Sequence, residues 1–251
     1  MLPLAMARGS SASSSGRALG LAPAAHRYLI GGFGIALATV DGHVYQVGDS
    51  RLPFTVQSIS KAIIYGMALE DQGLDGVSRK VGVEPSGEAF NSISLEPDTG
   101  RPLNPMINAG AIATTSLTPG ANRAEKWEFL RQGLSRFAGR ELQMDQAVYA
   151  SEAATNQRNQ GIAHLLHGYG RMYCDPHEAT DLYTMQCALN VTARDMAVMG
   201  ATLADGGVNP ITGIRVVRAF VREPYERERF AEVSSRNSNG STGEVLCRRR
   251  T

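Results

Sequence analysis

Phe33-Gly-Ile-Ala-Leu-Ala-Thr-Val-Asp41-Gly42-His-Val-Tyr-Gln-Val-Gly-Asp49 decides the fold class. Two apolar runs flank Asp41-Gly42, a pair that tolerates positive φ, so the stretch predicts a β-hairpin. From Ser58 to about Glu70 the apolar period becomes helical, with Ala62, Ile63 and Met67 on one face, and Asp71 to Gly76 ends it. Trp127, Leu130, Leu134 and Phe137 recur at helical spacing and read as core. One further helix is expected from near Ser151 towards His167 and another from about His177 to Ala188. Thr192 with Asp195 resembles a capping box for the next, which stops at Gly206-Gly207. A second strand region starts at about Ile214. Strands, then many helices, then strand again predict an α+β domain. The stretch 83–119, rich in Pro, Gly, Asn and Ser, reads as a long ordered irregular segment, the kind that carries function.

The 251 residues suffice for one large domain with a buried core, or two small ones. A formal charge of +1 gives no reason to expect nucleic acid or an anionic membrane as partner. Cys174, Cys187 and Cys247 have no metal-ligand spacing and read as reduced thiols of a cytoplasmic protein. The uncharged stretch from Tyr28 to Val40 is too short to span a bilayer. Residues 1–27, acid-free and serine-rich between Arg8 and Arg17, read as a disordered leader; the weaker alternative is an organelle transit segment. Residues 28–221 read as the folded domain. The tail, 222–251, is Arg/Glu-rich and then Ser/Asn/Gly-rich, and reads as disordered.

Gln57-Ser58-Ile59-Ser60-Lys61 holds the one S-x-x-K of the chain. On a helix, residues three apart share a face, so the Ser58 hydroxyl can meet the Lys61 amine. A serine hydroxyl is a weak nucleophile until a base takes its proton, and a lysine is such a base only when its pKa is lowered. A helix N-terminus also aims backbone N–H groups at a developing oxyanion. A solvated Ser/Lys pair satisfies the same spacing. In Asn104-Pro-Met-Ile-Asn108-Ala-Gly110, Asn-Pro sets a turn and the small residues admit another backbone, so Asn108 either offers its amide to a ligand or organises its loop. Glu152 and Asn159, seven apart on the helix expected from near Ser151, return to nearly the same face, as an amino-acid clamp or as a solvated face. Tyr183 alone reads as a core residue with its hydroxyl at the edge. His164 and His167 lack further ligands and read as structural.

Taken together these stretches resemble the bacterial and mitochondrial glutaminases. The match runs from about Phe33 to Val217, through Phe54 to Lys61, Lys80 to Glu96, Asn104 to Ile112 and Asp195 to Pro210. The resemblance implies a β-lactamase/penicillin-binding-protein-like fold, helices packed on an antiparallel sheet. It implies hydrolysis of the side-chain amide of L-glutamine to L-glutamate and ammonia through a serine acyl-enzyme. Ser58 corresponds to the nucleophile and Lys61 to its partner; Ser58, Asn108, Glu152, Asn159 and Tyr183 correspond to substrate-binding positions. The resemblance makes Glu152 the partner of the substrate ammonium, implies no metal or organic cofactor, and leads to the expectation of a homo-oligomer (dimer or tetramer). Family members continue past Val217 with a Cys-Gly-Met-Tyr segment and a Lys-Ser-Gly-Val-Gly-Gly-Gly strand, which this sequence does not contain. The expectation is therefore a glutaminase truncated or frame-shifted at its C-terminus, lacking the later strands. Two alternatives remain: a homologue that binds glutamine or partner subunits without turnover, and another serine amidohydrolase, against which stands the absence of a Lys-Thr-Gly triad.

Overall fold

The computed structural model describes residues 4–8, 32–85, 87, 89, 91 and 93–217. By compactness the chain divides into Met1–Ala219 and Phe220–Thr251; the second unit, and with it the expected tail, lies outside the described residues.

The hairpin forms as its sequence requires. Strands β2 (Phe33–Ala38) and β3 (Val44–Gly48) pair antiparallel, with Ala36 opposite Gln46. The Thr39 N–H donates to the His43 carbonyl at 2.9 Å, and Gly42 takes a φ of 91° in the turn. β1 (Leu4–Arg8) pairs antiparallel with the other edge of β2, giving the order β1-β2-β3. This strand lies inside the stretch read as a disordered leader. The open ladder edge of β2 offers a row of backbone donors and acceptors that such a strand satisfies. The rest of 9–31 is outside the described residues.

Side chains alternate across β2. Ala36 and Ala38 pack on Ala193, Ala197, Val198 and Ala201 of the last described helix, Ala193–Ala204. The opposite face carries Phe33, Tyr45 and Val47, all exposed.

A two-residue pairing of β4 (Phe54–Thr55) with β5 (Asn190–Val191) follows, too short for any sequence period to reveal. With the Val56 N–H donating to the Leu189 carbonyl at 2.8 Å, it pins the next residues against the chain end of a later helix. Those residues make a single 3₁₀ turn, Gln57–Ile59, which leads into α1 (Ser60–Ser78). α1 runs past the expected stop, with a break at Gly73, whose φ of 72° is not helical. α2 (Asn108–Thr115) is a correction to the irregular reading of 83–119. Every residue of α2 is buried, so it has no polar face and no amphipathic period to read. It is the axis of the helical core, against Ile162, Ala163 and Leu166 on one side and Ala179, Tyr183 and Cys187 on another.

α3 (Arg123–Ala138) buries Leu130, Leu134 and Phe137, as the spacing predicts, while Trp127, expected in the same core, is only partly buried. The buried Asn209 amide donates to the Arg136 and Phe137 carbonyls at 2.9 Å each, satisfying two acceptors that every helix end leaves over. α4 (Gln146–Ala153) and α5 (Gln157–Gly168) replace the one helix expected from Ser151 to His167. The break falls where polar side chains compete for the backbone. Thr155 Oγ1 donates to the Ser151 carbonyl at 3.0 Å, and Gln157 Nε2 donates to the Ala154 carbonyl at 3.0 Å.

α6 (Pro176–Cys187) opens with Pro176 in its first turn, capped by Asp175, whose carboxylate accepts from the His177 and Glu178 N–H groups. α7 (Ala193–Ala204) carries the expected capping box between Thr192 and Asp195 and gives way to Gly206 and Gly207, both at positive φ. The strand region expected from Ile214 is, among the described residues, a single bridge between Val208 and Arg215.

Asp195 is 1% exposed and takes two bonds from Arg140 (2.9 and 2.6 Å) besides its cap bonds from Thr192. Asp195→Ala removes a cap and a buried charge-assisted pair together. A loss of about 2–3 kcal/mol is expected, read as a lower midpoint in a denaturant titration with an unchanged slope.

Candidate active site

Ser58 sits exposed in the 3₁₀ turn, and Lys61 in the first turn of α1, three residues on. Lys61 is only 3% exposed. Its ammonium donates to the Met106 carbonyl at 2.9 Å and to Asn108 Oδ1 at 2.8 Å. Burial strips its water and pulls its pKa down to about 8, an effect that the neighbouring Cys187 opposes.

Asn108 opens α2, and its approach to Lys61 is built by the turn before it. Asn104 Oδ1 accepts from the N–H groups of Met106 (3.0 Å) and Ile107 (3.2 Å), folding the segment back on itself. Gly110 then lies so close that a Cβ would stand 1.9 Å from the Asn104 carbonyl oxygen. Only glycine fits there, the close backbone approach that the small residues of the sequence predict.

The Asn108 amide is the hub of the cluster. Its oxygen accepts from Lys61 and, at 3.4 Å, from the Tyr183 hydroxyl; its nitrogen donates to Asn159 Oδ1 at 3.0 Å. Tyr183, 4% exposed, also shares a hydrogen bond with Ser58, and burial holds its phenol well above the usual range. Glu152 accepts from Gln57 Nε2 at 2.7 Å. Burial raises the Glu152 carboxyl, and the Gln57 bond offsets part of that rise. Its charge is felt at both Tyr183 and Cys187.

Four of the six residues singled out from the sequence, Lys61, Asn108, Asn159 and Tyr183, are joined by hydrogen bonds centred on Asn108; Ser58 is reached through Tyr183, and Glu152 is bonded to Gln57, the residue before Ser58. The route differs in one respect. Glu152 ends α4 and Asn159 lies in α5, so they do not share a stripe of one helix. His164 packs edge-on against His177, and no group of ligating side chains fit for a metal ion occurs among the described residues.

Sequence reading missed Gln57, the Met106 carbonyl, Ser60 and Gln186. Backbone groups carry no sequence signal. A fully buried glutamine such as Gln186 is visible only as a polar residue in a helix of mixed character.

Fold and geometry thus define an α+β protein in which a serine, a buried lysine and an amide-rich cluster converge at the start of one helix. The family model for glutaminase matches residues 21–224. Glutaminase 2 of Bradyrhizobium diazoefficiens is 55% identical over 189 residues, which are 75% of this chain and 30% of that protein. Glutaminase 2 of Yersinia pestis is 50% identical over 208 residues, 82% of this chain and 61% of that one. The crystal structure of Mglu in its glutamate form superposes with a TM-score of 0.73 at 44% identity, covering 80% of this chain and 47% of that one. That of a probable glutaminase of Bacillus subtilis gives 0.71 at 37% identity, covering 74% and 60%. The chain belongs to the glutaminase family. It spans about a third to three fifths of the length of the curated relatives it matches.

Proposed function

We propose that the chain hydrolyses the side-chain amide of L-glutamine through a glutamyl-serine ester. The Ser58 oxygen attacks the amide carbon as its proton passes to a neutral Lys61. The carbon–nitrogen bond breaks and ammonia leaves with a proton. Water then cleaves the ester, releasing L-glutamate and restoring the serine. A neutral amine keeps two N–H bonds and one lone pair. The Met106 carbonyl and Asn108 Oδ1 accept from its N–H groups, and the lone pair is the proton acceptor. The N-terminal end of the helix offers backbone N–H groups to the oxyanion. Glu152 pairs with the substrate ammonium, while Asn108, Asn159 and Tyr183 bind its polar groups.

The observation that carries this reading is the hydrogen-bonded cluster joining a depressed-pKa lysine, one turn after a serine, to two asparagines, with a half-buried acid bonded to the residue that precedes the serine. The glutamate form of Mglu supports the choice of substrate class. A homo-oligomer and a cytoplasmic location belong to the same proposal. The exposed apolar row Phe33, Tyr45 and Val47 supports the first; for the second, among the described residues no helix is long and apolar enough to cross a membrane.

The test is release of ammonia and L-glutamate, in equal amounts, from L-glutamine by the purified chain, with a serine-linked glutamyl adduct sought by mass spectrometry after acid quench. A folded sample that releases neither overturns the reading. Thermal stabilisation by glutamine without release would move the chain to the class of binding proteins.

A further inference from the structure

Gln57 is the one residue other than glycine, among those described, with a backbone in the left-handed region, at φ 51°. It directly precedes Ser58. Left-handed backbone is costly for any residue with a Cβ and persists only where its surroundings impose it.

The surroundings that impose it here are specific. The Gln57 carbonyl accepts two hydrogen bonds from one residue, Ser60: from its backbone N–H and, at 2.8 Å, from its hydroxyl. The Ser60 hydroxyl oxygen in turn accepts from Gln186 Nε2 at 3.3 Å, and Gln186 Oε1 accepts from Thr115 Oγ1 at 3.3 Å. Ser60, Gln186 and Thr115 are each fully buried. A chain of polar groups therefore runs from α2 through α6 to the peptide that precedes the serine, with no water-exposed member to let it relax. From the other side, the Gln57 side chain is tied to Glu152 and, at 3.0 Å, to Thr55 Oγ1.

We propose that Gln186 and Ser60 are positioning residues that hold Gln57 in its left-handed conformation and so set the direction of the Ser58 hydroxyl. The inference rests on the acyl-transfer reading for its kinetic consequence, though not for its structural one. Neither residue touches the reacting atoms. Their contribution appears in the rate at which Ser58 is acylated, not in how tightly the amino-acid end of the ligand is held.

Gln186→Met keeps the volume and removes both bonds; Ser60→Ala removes the hydroxyl that joins the carbonyl to the chain. Labelling of Ser58 by a diazoketone analogue of glutamine, followed by intact mass, is expected to slow roughly tenfold in each. L-Glutamate affinity by calorimetry should stay within about twofold, since no group proposed to contact the ligand is changed. The discriminating comparison is at position 57. Glycine adopts φ 51° without cost whereas alanine does not, and both lack the side-chain bond to Glu152. Adding Gln186→Met to Gln57→Gly should therefore change labelling little, and adding it to Gln57→Ala should slow it the full tenfold. Equal slowing in the two backgrounds, or none, overturns the proposal.

Crystal structures of Gln186→Met and Ser60→Ala decide the structural half. Residue 57 leaving the left-handed region supports the inference, and an unmoved Gln57 and Ser58 overturn it. If the parent chain, folded, is not labelled at all, the acyl-transfer reading fails, while those two structures still decide the positioning.

Discussion

Lys61→Met is expected to cut ammonia release by roughly 10³-fold, a loss of the size of a general base, and Ser58→Ala to abolish it. In the parent, release should rise tenfold per pH unit up to about 8, the pKa at which burial leaves Lys61, and level off above. The direction follows from which form acts: the base is the neutral amine, and it becomes the major form only above that value. Steady-state rates across pH 6 to 10 check this, and a profile flat through pH 8 contradicts the assignment of Lys61.

The same shift links stability to pH. The folded protein releases the Lys61 proton near pH 8 and the unfolded chain near 10.5, so between these values the unfolded chain binds more protons. The stability difference, parent minus Lys61→Met, should therefore grow across that window, by roughly 3 kcal/mol at most. Below pH 8 the burial cost of the ammonium is present in full.

Glu152→Gln should raise KM for L-glutamine on the order of a hundredfold, as when one member of a desolvated charge pair is removed, with kcat far less affected. The substitution keeps an oxygen for the Gln57 amide, so the change is confined to charge. N-Acetyl-L-glutamine supplies the control. The parent should discriminate strongly against a substrate without an ammonium, and the variant should not. A KM unchanged by Glu152→Gln would place the ammonium elsewhere. Because burial raises the Glu152 carboxyl above its ordinary range, glutamate binding should weaken as pH falls into that raised range.

Much of this arrangement is legible in the sequence because its devices are local. Asp41-Gly42 has one economical conformation between two apolar runs, and the Thr192–Asp195 box forms as written. Gly110 signals a close approach by its lack of a side chain. What escapes is of two kinds. α2 is buried on every side, so hydrophobic periodicity, which reports the boundary between core and water, has no boundary to report. The break between α4 and α5 depends on Thr155 and Gln157 turning their side chains to the backbone, which the same residues on a continuous helix need not do. The candidate site residues rest mainly on the resemblance; their spacing alone leaves a bland alternative open for each. Glu152 and Asn159 make the point, since the single helix that their spacing supposes is two helices, one holding Glu152 against Gln57 and the other Asn159 against Asn108.

Cys187 lies beneath this cluster, 4% exposed, its thiol pushed up to about 12 by burial. In the closed protein it is both shielded and protonated, and so inert to alkylating reagents. Of the two described cysteines, Cys174, half-buried, is reached first. The slow consumption of Cys187, followed by site-resolved mass spectrometry, therefore works as a clock: it ticks only when α6 parts from its neighbours, and any ligand that bridges Glu152 and Asn108 should slow it.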